Sequence, residues 1–219
     1  FSSNRFPIHY IKKENGGKHT AYNLALQYAE GEYFLCIDSD DFLAPDAIES
    51  LCKTVSFEFG ICAYKATEDR KNLSLAFPPG LKETTSFELY SKFNCGGEYT
   101  FVYPLHIARK VPFPVFPGEY FITESVVFDQ LDKLCRVRLL PKVITICEYQ
   151  PDGLSARTNE LMKRNPAGYC LYFMQRIDLV NSFSKRLLMA GKYQCFGILA
   201  CKNRTTYRGK HRLLTTVSF

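Results

Sequence analysis

An apolar run that ends in three closely spaced carboxylates, at residues 34–41, sets the strongest limit on the fold of this chain. An apolar run of this length predicts a buried strand. Asp38, Asp40 and Asp41 repel one another and are costly to remove from water unless a cation lies between them. Mg²⁺ and Mn²⁺ prefer such carboxylate oxygens. We therefore expect a metal site at the carboxyl end of a central strand, with open positions that suit diphosphate oxygens.

A glycine-rich loop precedes this strand by one helix. Gly16, Gly17 and Lys18 stand directly before residues 19–30, which carry an apolar residue every three or four positions. This period predicts a helix with one apolar stripe, formed by Ala21, Leu24, Ala25, Tyr28 and Ala29. Glycines let the backbone approach a ligand closely, and the amides at a helix start attract anions. The loop lacks the spacing of a Walker A motif. Together with the acidic strand end it predicts a phosphate-and-metal site.

Three segments of this unit, residues 15–23, 31–33 and 37–41, together resemble family 2 glycosyltransferases. Members of that family have the GT-A fold and transfer a sugar from a nucleotide-sugar with inversion at the anomeric carbon. The acidic cluster is similar to the family's D-x-D motif. The resemblance implies a metal-dependent enzyme of cell-envelope polysaccharide biosynthesis, with a UDP-, GDP- or dTDP-sugar as donor and a saccharide or lipid-linked acceptor.

The resemblance also implies roles for individual residues. Asp40 would ligate Mn²⁺ or Mg²⁺, and Asp38 would face both the metal and the nucleotide ribose. Gly17 and Lys18 would lie near the donor. Asn23 belongs to the same motif and is expected at the donor site, or else on an exposed helix face. Asp41 is expected to support the donor site, or to be a surface charge.

An inverting transfer needs a base that removes the proton of the acceptor hydroxyl. Glu124 is our candidate, because it follows an apolar run at a predicted helix start and resembles the family's acidic base motif. Ser125 stands where the family commonly has a second acid. An alternative role for Glu124 is to stabilise the first turn of its helix. Glu119 and Asp129 are the next candidates for the base.

The alternation of strand and helix patterns predicts an α/β protein with a mostly parallel sheet, and the resemblance identifies it as a GT-A fold. We predict strands at residues 8–12, 32–38, 57–64, 99–103 and 137–148, and helices at 19–30, from 45, and at 123–134. Three prolines predict that residues 111–117 are extended or form a loop. We place a boundary near residue 150, between a GT-A-like catalytic domain at 1–150 and a helical extension at 151–219.

Charge and cysteine content restrict the partners and the cellular compartment of the protein. The net charge is +6, and the basic excess lies late in the chain. This basic tail is either a solvated surface or a contact for anionic lipid, and no nucleic-acid motif accompanies it. Nine dispersed cysteines without C-x-x-C predict a reducing compartment. We expect a cytoplasmic protein at the inner face of the membrane. Because the sequence begins with Phe1 and not Met, we also expect a fragment, and the family resemblance implies that its first strand lies upstream.

Three other functions are alternatives to sugar transfer. Residues 38–49 have the length of an EF-hand loop, but Leu43 stands where glycine is needed, and we reject this alternative. A strand that ends in D-x-D also resembles haloacid-dehalogenase phosphatases, although Phe42 departs from their pattern. A non-catalytic nucleotide-sugar-binding module is the third alternative, and Ser125 favours it.

Overall fold

The computed structural model describes residues 6–148 and 158–216 of the 219-residue chain. The described strands form one sheet. They are β1 (Tyr33–Leu35), β2 (Asp41–Leu43), β3 (Gly60–Thr67), β4 (Glu83–Thr84), β5 (Tyr99–Pro104) and β6 (Val137–Cys147). The predicted strands at 57–64, 99–103 and 137–148 are confirmed within a few residues. The predicted strand at 8–12 is wrong, because these exposed residues pair with no described strand.

Helices cover the sheet and make up most of the C-terminal part. They are α1 (Lys18–Tyr28), α2 (Ala47–Thr54), α3 (Ser86–Ser91), α4 (Leu105–Ala108), α5 (Ser125–Leu131), α6 (Thr158–Arg164), α7 (Pro166–Leu179), α8 (Phe183–Ala200) and α9 (Arg212–Thr216). A 3₁₀ turn at Cys201–Asn203 follows α8. Residues 111–117 form the predicted loop. No helix among these combines the length and the hydropathy that are needed to cross a bilayer.

The sheet is mixed, whereas we expected a mostly parallel one. Its order is β1-β5-β3-β6-β2, with β4 paired to β6. Only β3 and β6 pair in parallel among the described strands, and β5 runs antiparallel between β1 and β3. β1, β3 and β6 therefore share one direction, but β5 separates two of them. Two neighbouring strands run parallel only if a crossover connection joins them or another strand intervenes in the sequence. The segment between β3 and β5 forms no such crossover, so β5 runs antiparallel to β3.

The acidic segment crosses the carboxyl edge of this sheet. β1 and β2 lie at opposite ends of the strand order, so residues 36–40 must carry the chain from one end to the other. Asp41, the first residue of β2, is level with Cys147 at the end of β6, and Cys147 is level with Thr67 at the end of β3. The carboxylates therefore lie beyond the carboxyl ends of β3 and β6, where open α/β sheets bind their ligands.

β3 separates two apolar layers because its side chains alternate between the faces of the sheet. Ile61 and Ala63 pack with α2 on one face. Cys62 and Tyr64 face the larger cluster on the other, which includes residues of α1, α3 and α5. These two layers hold β3 at the centre of the sheet and fix the position of its carboxyl end.

The predicted apolar stripe of α1 is wrong. The residues that α1 buries are His19, Tyr22 and Leu26, whereas Tyr28 is exposed. The Tyr22 ring meets the edges of Phe34 and Phe113, each with a centroid separation of 5.0 Å. Aromatic rings bury more apolar area than alanine methyl groups and favour such edge-to-face contacts. The helix therefore turns its larger rings, and not its alanines, towards the core.

The C-terminal helices pack against the first part of the chain. Asp129 of α5 lies 2.8 Å from Arg176 of α7, and the Arg176 guanidinium also covers the rings of Phe87 and Tyr172. The clusters on the two sides share Phe116 and Tyr172. The boundary predicted near residue 150 lies outside the described residues, so the division into 1–150 and 151–219 stays a prediction.

Asp129 makes the stability of the protein depend on pH. Burial raises the pKa of Asp129 to about 6, although the Arg176 charge opposes this rise. A carboxyl group with a raised pKa in the folded state stabilises the fold most below its unfolded pKa, and this contribution is lost as pH rises through 6. Relative to Asp129→Asn, we expect the free energy of unfolding of the unmodified protein to fall by about 2 kcal/mol between about pH 4 and pH 7. Urea unfolding of both proteins across this range would measure the difference, and a constant difference would contradict the assignment.

Candidate functional site

Lys18 joins two acidic residues that are far apart in the sequence. Its Nζ donates to Asp38, with distances of 2.7 Å to Oδ1 and 3.0 Å to Oδ2, and to Glu124 Oε1 at 2.7 Å. Lys18 begins α1, Asp38 lies on the crossing segment, and Glu124 precedes α5. All three side chains are about half exposed. The fold thus brings together the predicted phosphate-binding lysine, one predicted metal ligand and the predicted base.

The charge state of Lys18 follows from these partners. Burial alone would lower the pKa of Lys18, but the Glu124 charge and the hydrogen bonds to Asp38 and Glu124 raise it well above its ordinary value. Lys18 is therefore a fixed cation between two carboxylates. Such a group suits an anion that approaches from solvent, because the ammonium group can exchange a carboxylate for a phosphate oxygen.

The loop before α1 lies directly against the segment that leads to Glu124. Gly17 has a φ of 87°, and a Cβ at this position would come within 1.9 Å of the Tyr120 carbonyl oxygen. Only glycine combines this conformation with so close an approach. Asn15 Oδ1 accepts a hydrogen bond from the Gly17 amide and fixes the turn. Gly17 therefore places Lys18 beside Glu124. This structural role is separate from the predicted role of the loop in binding a ligand.

The segment before Glu124 is also held from the other side by α7. The Glu119 carboxylate accepts hydrogen bonds from the amides of Ala167 and Gly168, at 2.6 and 2.9 Å. In return, Asn165 Oδ1 accepts from the amides of Tyr120 and Phe121. This reciprocal clamp anchors the segment to the N-terminus of α7. The C-terminal helices thereby help to position Glu124.

Two of the candidate bases have structural partners. Glu119 is buried, and both of its oxygens accept hydrogen bonds from the α7 amides. Burial raises the pKa of Glu119, although these hydrogen bonds oppose the rise. Asp129 is fully buried beside Arg176. Glu124 is different, because its side chain is half exposed and makes no capping bond to its own helix. Glu124 thus remains the candidate that an acceptor can reach.

Asp40 is exposed in the turn between β1 and β2, and its carboxylate has no hydrogen bond or ion pair with any residue in the described part of the chain. Within residues 6–148 and 158–216, no three His, Cys, Asp or Glu side chains are close enough to hold a metal by themselves. The oxygens of Asp38 and Asp40 match the hard ligands that Mn²⁺ and Mg²⁺ prefer. They fit a metal that takes most of its other ligands from a bound diphosphate and water.

Asp41 and Asn23 lie apart from the Lys18 contacts. The Asp41 side chain is nearly buried at the start of β2 and lies 3.6 Å from Lys65 Nζ. The Asn23 amide donates to the Phe113 carbonyl and accepts from the Phe113 amide, each at 2.8 Å. Asn23 therefore fixes the loop that covers α1, and the predicted alternative of an exposed helix face is wrong. Their roles at a donor site stay predictions.

Sequence reasoning missed two residues near the site. Lys65 is the partner of Asp41, and its position near the carboxyl end of a strand parallel to β1 is a signal that could have identified it. His19 lies directly after Lys18, is 2% exposed, and has no hydrogen-bond partner among the described residues for either ring nitrogen. Burial lowers the pKa of His19. No local pattern distinguishes such a buried histidine from an exposed one.

Comparison with known proteins identifies the kind of domain to which this geometry belongs. Residues 1–102 match the family model described as glycosyl transferase family 2. Chondroitin synthase and hyaluronan synthase of Pasteurella multocida are each 47% identical over 45 residues, which is 20% of this chain and 5% and 4% of those proteins. This chain spans only a small part of either relative. The family match includes Asp38 and Asp40, and so argues against a phosphatase role for this acidic pair.

Solved structures share the fold. The S. aureus TarS 1–349 structure aligns with a TM-score of 0.54 and 15% identity, over 88% of this chain and 53% of TarS. The structure of TarS 1–349 in complex with UDP-GlcNAc aligns with a TM-score of 0.55 and 14% identity, over 88% and 55%. At this identity the likeness concerns the fold alone, and it confirms the expected GT-A architecture.

Proposed function

We propose that this chain, whose residues 1–102 match the glycosyl transferase family 2 model, transfers a sugar from a nucleotide-diphosphate sugar to an acceptor hydroxyl with inversion. One observation carries the proposal: Lys18 contacts both Asp38 and Glu124 at the carboxyl edge of the sheet. A group for the diphosphate, a carboxylate for the metal and a base for the acceptor are the three parts that such a transfer requires.

The donor would bind with its diphosphate at Lys18 and the loop at Gly17. Asp38 and Asp40 would hold Mn²⁺ or Mg²⁺, which supplies positive charge for the departing diphosphate when bound. Lys18 would exchange its contact with Asp38 for a phosphate oxygen and add a second positive charge at the leaving group. Asp41, paired with Lys65, would keep β2 and the acidic turn in place.

Glu124 would carry out the proton transfer. The acceptor oxygen attacks the anomeric carbon, the bond from that carbon to the diphosphate breaks, and the acceptor proton moves to a Glu124 oxygen. Attack from the side opposite the leaving group inverts the anomeric centre. The clamp formed by Glu119 and Asn165 keeps the Glu124 segment fixed during this step, and fixed geometry supplies much of the rate gain in such transfers.

UDP-GlcNAc is the first donor to test, since it is bound in the TarS structure, followed by other UDP-, GDP- and dTDP-sugars. A saccharide is the first acceptor to test because two relatives are synthases of chondroitin and hyaluronan. A lipid-linked saccharide is the second. We also propose a cytoplasmic location and a role in cell-envelope polysaccharide biosynthesis, which would supply both the donor and such acceptors.

A nucleotide-sugar-binding module without transfer activity is the second candidate. Ser125 favours it, because Ser125 occupies the position where the family commonly has an acid. A serine cannot act as a base unaided. The two candidates bind the same donor but differ in whether the anomeric bond breaks.

A donor screen tests the proposal and separates these candidates. We expect one class of nucleotide-sugar to bind with a strong Mn²⁺ or Mg²⁺ requirement, and slow release of the nucleoside diphosphate in the absence of acceptor. Titration calorimetry with and without Mn²⁺ measures binding, and chromatography measures the released nucleotide. Binding without any release, in the presence of saccharide acceptors, would favour the binding module. Failure of a folded protein to bind any of these donors would contradict both.

A further inference from the structure

The exposed face of α8 is apolar along most of the helix. Leu187, Leu188, Cys195, Ile198 and Leu199 are all exposed, with Leu188 at 54% and Ile198 at 71%. At 100° per residue these side chains fall within about one third of the helix circumference. They form one continuous stripe, which we call the α8 stripe.

The opposite face of α8 is apolar as well. Ala190, Tyr193, Gly197 and Ala200 are buried against α7 and the residues around it. A helix that is apolar on both faces is normally buried on both. The α8 stripe is therefore a contiguous apolar surface, which is typical of an interaction site, whereas most proteins expose apolar residues singly.

The charge around the α8 stripe indicates what the partner is. The 41 residues from 179 to 219 contain eight Lys and Arg residues and no Asp or Glu. Lys185 and Lys192 lie on α8 directly beside the stripe, and Lys202 follows the end of the helix. All three are exposed, and none of them forms an ion pair with a described residue. Aliphatic side chains with unpaired cations beside them match an anionic lipid bilayer, in which acyl chains lie below acidic headgroups.

We propose that the α8 stripe and its basic surroundings bind the surface of an anionic membrane. A second copy of this chain fits less well, because two such surfaces would bring like charges together. A nucleic acid fits less well too, since Leu and Ile side chains offer bases no aromatic surface for stacking. This contact goes beyond sugar transfer, and it can be measured without any donor or acceptor.

Vesicle flotation tests the contact directly. We expect the protein to bind vesicles that contain phosphatidylglycerol and to bind those of pure phosphatidylcholine at least about tenfold more weakly. Leu188→Gln combined with Ile198→Gln leaves the net charge unchanged and should weaken binding to the anionic vesicles by at least about tenfold. Lys185→Gln combined with Lys202→Gln should weaken it by about fivefold or more and reduce its sensitivity to salt.

Phe57→Gln combined with Leu75→Gln provides the matched control. Both residues are exposed and apolar and lie outside the C-terminal helices, so this pair should bind vesicles as the unmodified protein does. Far-UV circular dichroism should show that all variants are folded, as expected for exposed positions. Absence of binding to phosphatidylglycerol vesicles would overturn the proposal. So would equal binding by the α8 variant, or a dimer in sedimentation that the α8 variant abolishes.

Discussion

Glutamine in place of Glu124 is expected to lower kcat for sugar transfer by about 10²- to 10⁴-fold, the contribution of a positioned general base. The carboxamide keeps the size of the side chain, and its oxygen can still accept a hydrogen bond from Lys18. It cannot take a proton from an acceptor. Steady-state kinetics of transfer should therefore show a large fall in kcat, while titration calorimetry shows a donor affinity close to that of the unmodified protein.

Glu58→Gln is the matched control for this substitution. Glu58 is exposed in the turn before β3, at the edge of the sheet opposite Asp38. Loss of this charge should leave kcat unchanged. If Glu124→Gln kept full activity, Glu124 would not be the base. Glu119 could not take over as the base, because its two oxygens accept hydrogen bonds from the α7 amides.

Local patterns predicted the parts of the site that depend on strand and helix ends. Lys18 follows a glycine pair at a helix start, and Asp38 follows an apolar run. Both positions can be inferred from a window of about ten residues. Glu124 needed the family resemblance as well, because an acid before a helix is common. The contacts that join the three are non-local, so no local pattern could predict that Lys18 Nζ lies 2.7 Å from both carboxylates.

The failed predictions are those that depend on partners distant in the sequence. The period of α1 fitted an alanine stripe, but Phe34 and Phe113 create a site for the ring of Tyr22 on another face. The strands predicted at 57–64, 99–103 and 137–148 lie within a few residues of β3, β5 and β6, yet nothing local could show that β5 separates β1 from β3. The order of strands is decided by the whole set of packing interactions, which no single segment contains.

Alanine in place of Asp40 is expected to abolish the metal dependence of donor binding. Asp40 is the acid that the family resemblance assigns to the metal, and no described residue pairs with its carboxylate. The substitution should therefore change the free energy of unfolding by less than about 0.5 kcal/mol. Donor affinity in the presence of Mn²⁺ should fall by about 10²-fold or more, to the level measured without metal. Titration calorimetry with and without Mn²⁺ gives both values.

The residual affinity distinguishes the role of Asp40 from that of Lys18. Asp40→Ala leaves the contacts of Lys18 with Asp38 and Glu124 in place, so binding of the diphosphate without metal should persist. Lys18→Met should weaken binding both with and without Mn²⁺, because it removes a cation that acts in either condition. Glu58→Ala, at the far edge of the sheet, should affect neither measurement. A donor affinity that still rose with Mn²⁺ in Asp40→Ala would show that the metal is held elsewhere, and the assignment of the acidic turn would then be wrong.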